Sequence, residues 1–242
     1  MRSHAALRLL EDGHAVTIVD DLSRGHRQVV SILEPLGDLA FVEADLGNTD
    51  LIAQVLRDRS IDLVMHFGAK AYVGESVQQP LAYYQANTAA SIGLLRAMAE
   101  AGVHRLVFSS TCATYGEPVS TEIPIADSCP QKPVNPYGRS KLLVEHIITD
   151  ASRAGFGPAG QDQALQWAAL RYFNVAGCDP HGRLGEDHDP ETHLIPLAID
   201  TALGRRASLT IYGTDYDTPD GTCIRDYVHV TDLIDAHVQV MD

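Results

Sequence analysis

Positive charge is what this sequence has least of: 18 Lys and Arg stand against 32 Asp and Glu, a formal charge of -14 over 242 residues. Such a field repels phosphate backbones and anionic bilayers, which argues against nucleic-acid and membrane partners. Cysteine is sparse too: Cys112, Cys129, Cys178 and Cys223 are scattered and form no C-x-x-C pair. That argues against a zinc ribbon and a secreted disulfide scaffold, and for a reduced, cytoplasmic chain. No apolar run approaches the roughly 20 residues of a bilayer-spanning helix, and Met1-Arg2-Ser3-His4 leads into a helical pattern rather than a signal peptide. Repeats and low-complexity tracts are missing as well. What is there is 45% hydrophobic and long enough to bury a real core in one large or two small domains.

The apolar pattern alternates helix and strand. Residues 5–11 place Ala6, Leu7 and Leu10 on one helical face and stop at Asp12-Gly13-His14, a glycine C-cap. A short β-branched run at 15–19 closes on Asp20. Helix, strand and acid make the back half of a βαβ dinucleotide unit, in which the acid takes ribose hydroxyls. Its front half, a strand and a glycine-rich turn, is not found ahead of the helix. Strands are expected at 39–42, 61–66, 104–108 and 167–172, and helices at 49–59, 81–100 and from Tyr137 onward, with a glycine-rich connector near 155–160. This alternation implies an α/β fold, a doubly wound parallel sheet of Rossmann type with its first strand missing. From about Ala176 the composition shifts to Gly, Pro, Asp and His, with a helix at 193–203, a strand at 208–212 and a helix from Thr231. The expected division is 1–175 for a dinucleotide domain and 176–242 for the start of a smaller α/β substrate domain.

Tyr137-Gly138-Arg139-Ser140-Lys141 carries the chemistry. Asn135 is suited to an N-cap and Pro136 to the first helical position, so Tyr137 and Lys141 stand one above the other at i and i+4. An ammonium beside a phenol favours the phenolate, which serves as a base at neutral pH. Upstream, the strand at 104–108 runs into Ser109-Ser110-Thr111, hydroxyls at the carboxyl end where open α/β sheets bind ligands.

These stretches resemble a known family. The strings Val73-Gly74-Glu75-Ser76-Val77, Phe108-Ser109-Ser110, Pro136-Tyr137-Gly138 with Ser140-Lys141, Leu170-Arg171-Tyr172-Phe173-Asn174 and Arg225-Asp226-Tyr227-Val228-His229-Val230 run from end to end of the chain. Together they resemble the extended short-chain dehydrogenases/reductases and, within them, the UDP-glucose 4-epimerases, with NAD as cofactor and UDP-sugars as substrates. The resemblance implies that Tyr137 takes the proton of the sugar 4-hydroxyl while C4 gives up hydride. Lys141 would hold the nicotinamide ribose, and Thr111 would hydrogen-bond the 4-oxygen. A 4-keto sugar then turns over and takes the hydride back on its other face, interconverting UDP-galactose and UDP-glucose.

By the same resemblance the cofactor is met by Asp20, Asp45, Leu46, Phe67, Gly68, Lys70, Ser109, Tyr137, Lys141, Tyr172 and Phe173. For the substrate it implies Thr111, Asn174, His193, Leu194, Ile211, Tyr212 and Arg225. In relatives the phosphate-contacting lysine falls one position after Lys70, where this chain has Ala71, and His193 stands where some have Asn. Sugar-nucleotide 4,6-dehydratases place an acidic pair directly after the threonine; here Cys112 and Ala113 hold those places, and neither shuttles a proton as a carboxyl does. A homodimer through the 81–100 and Tyr137 helices is implied.

Other readings stay open: a UDP-pentose or UDP-N-acetylhexosamine 4-epimerase, or a non-catalytic remnant that binds nucleotide without turnover. The family's phosphate loop would precede Ser3 and the rest of its substrate domain would follow Asp242, so weak NAD binding and poor folding are expected of residues 1–242 alone. Asp187-His188-Asp189, with His181 and His193 nearby, fits no standard zinc spacing, and no metal is expected.

Overall fold

The computed structural model describes residues 1–158 and 163–241, so part of the expected connector lies outside the described residues. Helix α1 (Arg2–Glu11) buries His4, Ala5, Ala6, Leu7 and Leu10 and ends ahead of Gly13, whose φ of 85° lies in the left-handed region that glycine adopts freely. Strand β1 (Val16–Asp20) pairs in parallel with β2 (Leu39–Glu43) across α2 (Gln28–Leu33). Helix α3 (Thr49–Asp58) starts at Asn48, whose side chain accepts from the Leu51 amide at 3.4 Å.

A second parallel sheet joins β3 (Val64–His66), β4 (Arg105–Ser109) and β5 (Gln166–Leu170), in that order. Between β3 and β4 run α4 (Val73–Gln78), α5 (Pro80–Tyr83), a π-helical turn at Tyr84–Ala89, and α6 (Ala90–Ala101). Helix α7 (Pro136–Ala154) crosses from β4 to β5. Beyond β5 come β6 (Asn174–Ala176), α8 (Leu194–Ala202), β7 (Tyr227–His229) and α9 (Val230–Gln239), and β6 and β7 form a separate parallel pair.

The main core lies where α3, α6 and α7 cover the three-stranded sheet, and Ile52, Leu56, Leu94, Met98, Phe108, Val144 and Ile148 interlock there. Burial of these side chains is the main force holding helices to sheet, each contributing on the order of 2 kcal/mol. Among the described residues β1 pairs only with β2 and β3 only with β4, so the ladder is divided between β1 and β3. All five residues of β1 are consequently only half-buried.

The structure corrects the sequence expectations in two places. Residues 208–212 form no strand, because no neighbouring chain among the described residues offers them a ladder, and Ile211 and Tyr212 stand 68% and 88% exposed. The helix expected at 81–100 is interrupted by the π-helical turn. Helix α4 precedes that region with Val73 and Val77 exposed.

Candidate active site at the carboxyl ends of the strands

The start of α7 brings the first reactive groups together. Asn135 accepts from the Gly138 amide at 2.8 Å and Pro136 occupies the first turn, so the helix begins with Tyr137 already in helical geometry. Removing that cap by Asn135→Ala is expected to lower the unfolding free energy by about 1 kcal/mol, measured by urea denaturation. Gly138 lets the turn press against the loop after β4: a Cβ there would lie 2.4 Å from the Ala113 carbonyl oxygen. The contact sets Tyr137 beside Thr111, whose own hydroxyl accepts from the Ala113 amide at 3.1 Å. Burial pushes the Tyr137 phenol up, and a hydrogen bond with the Thr111 side chain opposes that shift.

Lys141 lies one helical turn further on and is 4% exposed. Its ammonium donates to the Ser109 carbonyl at 2.8 Å and sits 4.8 Å from the centre of the Phe108 ring. Burial brings it down to about 7, against the pull of the Glu145 charge. In this geometry the ammonium is engaged with Ser109 rather than with Tyr137, so the expected lowering of the phenol by its i+4 lysine is absent and burial prevails. An ammonium has three donors, and Ser109 is the acceptor that Lys141 meets among the described residues. Buried donors left over are what a ligand hydroxyl would satisfy.

Ser109 also hydrogen-bonds Tyr172 through its hydroxyl, and burial pushes Tyr172 above its ordinary value. Thr111, Tyr137, Lys141, Ser109 and Tyr172 thus form one cluster at the carboxyl end of β4. Cys112 is half-buried and its thiol is pushed up by burial, which disfavours a nucleophilic thiolate.

Several supporting residues have no periodic signal in the sequence. Glu145 is buried and receives Arg171 through Nε at 3.0 and 3.1 Å and Nη2 at 2.6 Å, Gln131 at 3.2 Å, and the Ser110 hydroxyl. Burial alone would raise its carboxyl, but these bonds hold it below its ordinary value. Arg171 also donates to the Tyr115 hydroxyl at 3.0 Å. Asn87, in the π-helical turn, accepts from the Lys70 amide at 2.8 Å and donates to the Lys70 carbonyl and the Ser140 hydroxyl at 3.0 Å. An amide side chain within the helical stretch was the available signal, and π-turns recur at functional sites. His66 bonds Ser91 at 2.7 Å and is brought down to about 3 by burial and then by Lys141, so it stays neutral.

Asp20 ends β1, in the separate two-stranded sheet. Its Oδ1 accepts from the Leu22 amide at 2.8 Å and its Oδ2 forms an ion pair with the Arg2 guanidinium at 2.5 Å, leaving lone pairs on both oxygens. Asp45 closes a turn by accepting from the Gly47 amide at 2.6 Å. Leu46 lies against Gly68, where an added Cβ would be 3.4 Å from Leu46 Cδ2, and Phe67 is half-buried at the end of β3. Lys70 is fixed through its backbone by Asn87. Phe173 is 36% exposed.

The residues expected at the substrate are more dispersed. Asn174 donates through Nδ2 to the Asp226 carbonyl at 2.8 Å, which ties β6 to the chain entering β7. Arg225 donates to the Ile224 carbonyl at 2.8 Å and lies near enough to Cys112 to act on its thiol. His193 begins α8, and Leu194 is 51% exposed. Ile211 and Tyr212 lie on exposed chain outside the three sheets.

Comparison with known proteins bears on this arrangement. The sequence pattern of the NAD dependent epimerase/dehydratase family matches residues 3–242. The chain belongs to that family. Among curated members it is 49% identical to the UDP-glucose 4-epimerase of Azospirillum brasilense, over 98% of this chain and 64% of the relative. It is 48% identical to the probable UDP-arabinose 4-epimerase 1 of Oryza sativa subsp. japonica, over 99% of this chain and 57% of the relative. The chain therefore spans about three fifths of these relatives' lengths. A solved family structure, the UDP-glucose 4-epimerase from Brucella ovis in complex with NAD, superposes with a TM-score of 0.89 at 45% identity, covering 99% of this chain and 69% of that one. The family's dinucleotide needs a carboxylate for ribose hydroxyls and donors along the strand ends. Asp20, with lone pairs to spare, and Lys141, with donors to spare, fit that need.

Proposed function

We propose that this chain is part of an NAD-dependent UDP-sugar 4-epimerase that interconverts UDP-galactose and UDP-glucose. The observation that carries the reading is the cluster of Tyr137, Thr111 and Lys141, followed by Cys112 and Ala113 where a dehydratase needs carboxyls. Bound NAD would supply hydride acceptance and return at C4. Tyr137 would remove the proton of the 4-hydroxyl and restore it, while Thr111 would orient the 4-oxygen. Lys141 would turn its spare donors to the nicotinamide ribose, and the cationic nicotinamide beside the phenol would reverse the effect of burial on Tyr137. Asp20 would take the adenosine ribose, with Asp45, Leu46, Phe67, Gly68, Lys70, Ser109, Tyr172 and Phe173 along the dinucleotide.

Residues 1–175 would hold the cofactor and meet the substrate through Asn174, and 176–242 would add His193, Leu194, Ile211, Tyr212, and Arg225 on the diphosphate, a task suited to a guanidinium fork. We further infer a cytoplasmic homodimer acting in galactose metabolism, without nucleic-acid or membrane partners. Four unpaired cysteines and the -14 charge favour that setting, and Leu81, Ile92 and Leu143 leave apolar surface on α5, α6 and α7 for a second copy. Among the described residues no helix is long and apolar enough to cross a membrane.

The kinship to UDP-arabinose 4-epimerases keeps a UDP-pentose as the second reading. The complete protein, supplied separately with UDP-galactose, UDP-arabinose and UDP-N-acetylglucosamine, is expected to equilibrate UDP-galactose with UDP-glucose fastest. A higher kcat/KM for UDP-arabinose would move the assignment to the pentose, and no turnover on any of the three would remove it.

A further inference from the structure

The loop between β6 and α8 holds a side-chain cluster that the epimerase reading does not use as a unit. Glu186, His188, Glu191 and His193 each turn one donor atom inward, and the four atoms lie within 4.8 Å of one another. Glu186 Oε1 stands 3.2 Å from the Nδ1 of both histidines. Glu191 reaches His188 Nδ1 at 3.4 Å through Oε2 and His193 Nδ1 at 2.7 Å through Oε1. The two imidazoles lie side by side, with ring centres 4.7 Å apart.

We propose that these four side chains form a binding site for one divalent transition-metal cation of the zinc class. Ligands at the usual bond length of a tetrahedral zinc ion stand about 3.4 Å from one another; the carboxylate–imidazole pairs here stand 2.7 to 3.4 Å apart, with all four donor atoms within 4.8 Å. Two imidazole nitrogens and two carboxylate oxygens are the donor mixture that zinc accepts, whereas magnesium and calcium favour a shell made wholly of oxygen. Two carboxylate charges balance a dication exactly when both imidazoles are neutral, so the site needs no further counter-ion. Asp187 and Asp189 add negative charge beside it, which draws cations in.

The loop is also held in place before any ion arrives. Arg24 donates to the Asp189 carbonyl at 3.2 Å and pairs with Glu75. His26 approaches Asp187 at 3.2 Å. Tyr72 donates to the Pro190 carbonyl at 3.4 Å and meets the His188 ring edge-on at 6.3 Å. Fixing the ligands in advance lowers the ordering cost of binding. The expectation of no metal rests on Asp187, His188, Asp189, His181 and His193, whose spacing fits no standard zinc pattern. Folding selects a different set, in which Glu186 and Glu191 are the carboxylate ligands, and His181 is not among them.

The proposal does not depend on catalysis. The full chain, stripped with EDTA and titrated calorimetrically with Zn²⁺, is expected to bind one ion per chain, and Co²⁺ in its place should give the visible d–d absorption of a tetrahedral site. His188→Ala and His193→Ala should each weaken Zn²⁺ binding at least about 10- to 100-fold and abolish the Co²⁺ bands, while His14→Ala, on an exposed turn, should change neither. Absence of saturable Zn²⁺ binding to the wild-type chain would overturn the proposal. Binding of wild-type strength in both histidine variants would overturn it equally, by assigning the ion to the cysteines or another surface group.

Discussion

Tyr137→Phe is expected to lower the kcat of the complete enzyme on its UDP-sugar by about 10²- to 10⁴-fold, with KM little changed. The substitution removes one oxygen and keeps the ring, the helix start at Asn135 and Pro136, and the contact of Gly138 with Ala113. Substrate and cofactor would therefore still bind, and only the group that carries the 4-hydroxyl proton is lost. A loss confined to kcat is what an interaction made only in the transition state predicts. Steady-state kinetics with UDP-galactose, together with a thermal melt to verify folding, make the measurement. Retention of more than a tenth of wild-type kcat would show that another group moves the proton. Burial holds the phenol above its ordinary value in the ligand-free geometry. A second expectation follows: the phenol should titrate at lower pH once NAD is bound, because the positive nicotinamide and a freed Lys141 both favour the phenolate.

How much of this site was legible in the sequence depends on the range over which each feature is determined. The cap at Asn135, the first-turn Pro136 and the i, i+4 relation of Tyr137 to Lys141 are local, and the structure has them where the residues imply them. The β4 run into Ser109-Ser110-Thr111 is equally local, since a short apolar strand ending in hydroxyls marks its own end. Glu145 and Arg171 are different. They lie 26 residues apart on α7 and just beyond β5, and no periodicity links them; only the crossover that lays α7 over the sheet brings them together. The same holds for Asn87 with Lys70 and Ser140, and for the Glu186 to His193 loop. Residues 208–212 fail in the opposite sense: their apolar residues read as a strand, but a strand is a pairing, and the described residues offer no partner.

Glu145→Ala is expected to destabilise the protein by about 3–5 kcal/mol, because it leaves the Arg171 guanidinium half-buried without its counter-charge. The cost should exceed that of an ordinary surface ion pair, since Glu145 is 3% exposed and carries bonds from Arg171, Gln131 and Ser110 at once. Urea denaturation measures it, and a change below about 1 kcal/mol, the range of exposed pairs, would show that water already screens this one. Glu145→Gln adds a test by pH. Lys141 falls to about 7 in the fold from an ordinary 10.5, with Glu145 opposing the shift. Between those values the unfolded chain holds a proton that the folded chain has released, so the contribution of Lys141 to stability is least below about pH 7 and climbs as pH rises toward 10.5. Loss of the Glu145 charge lowers Lys141 further, and the climb should then begin at lower pH than in the wild type. Parallel pH–stability curves for the two proteins would mean that Glu145 acts on Arg171 and the Ser110 loop alone. A displaced curve would mean that the same carboxylate also keeps Lys141 charged, and with it the donors that the ribose requires.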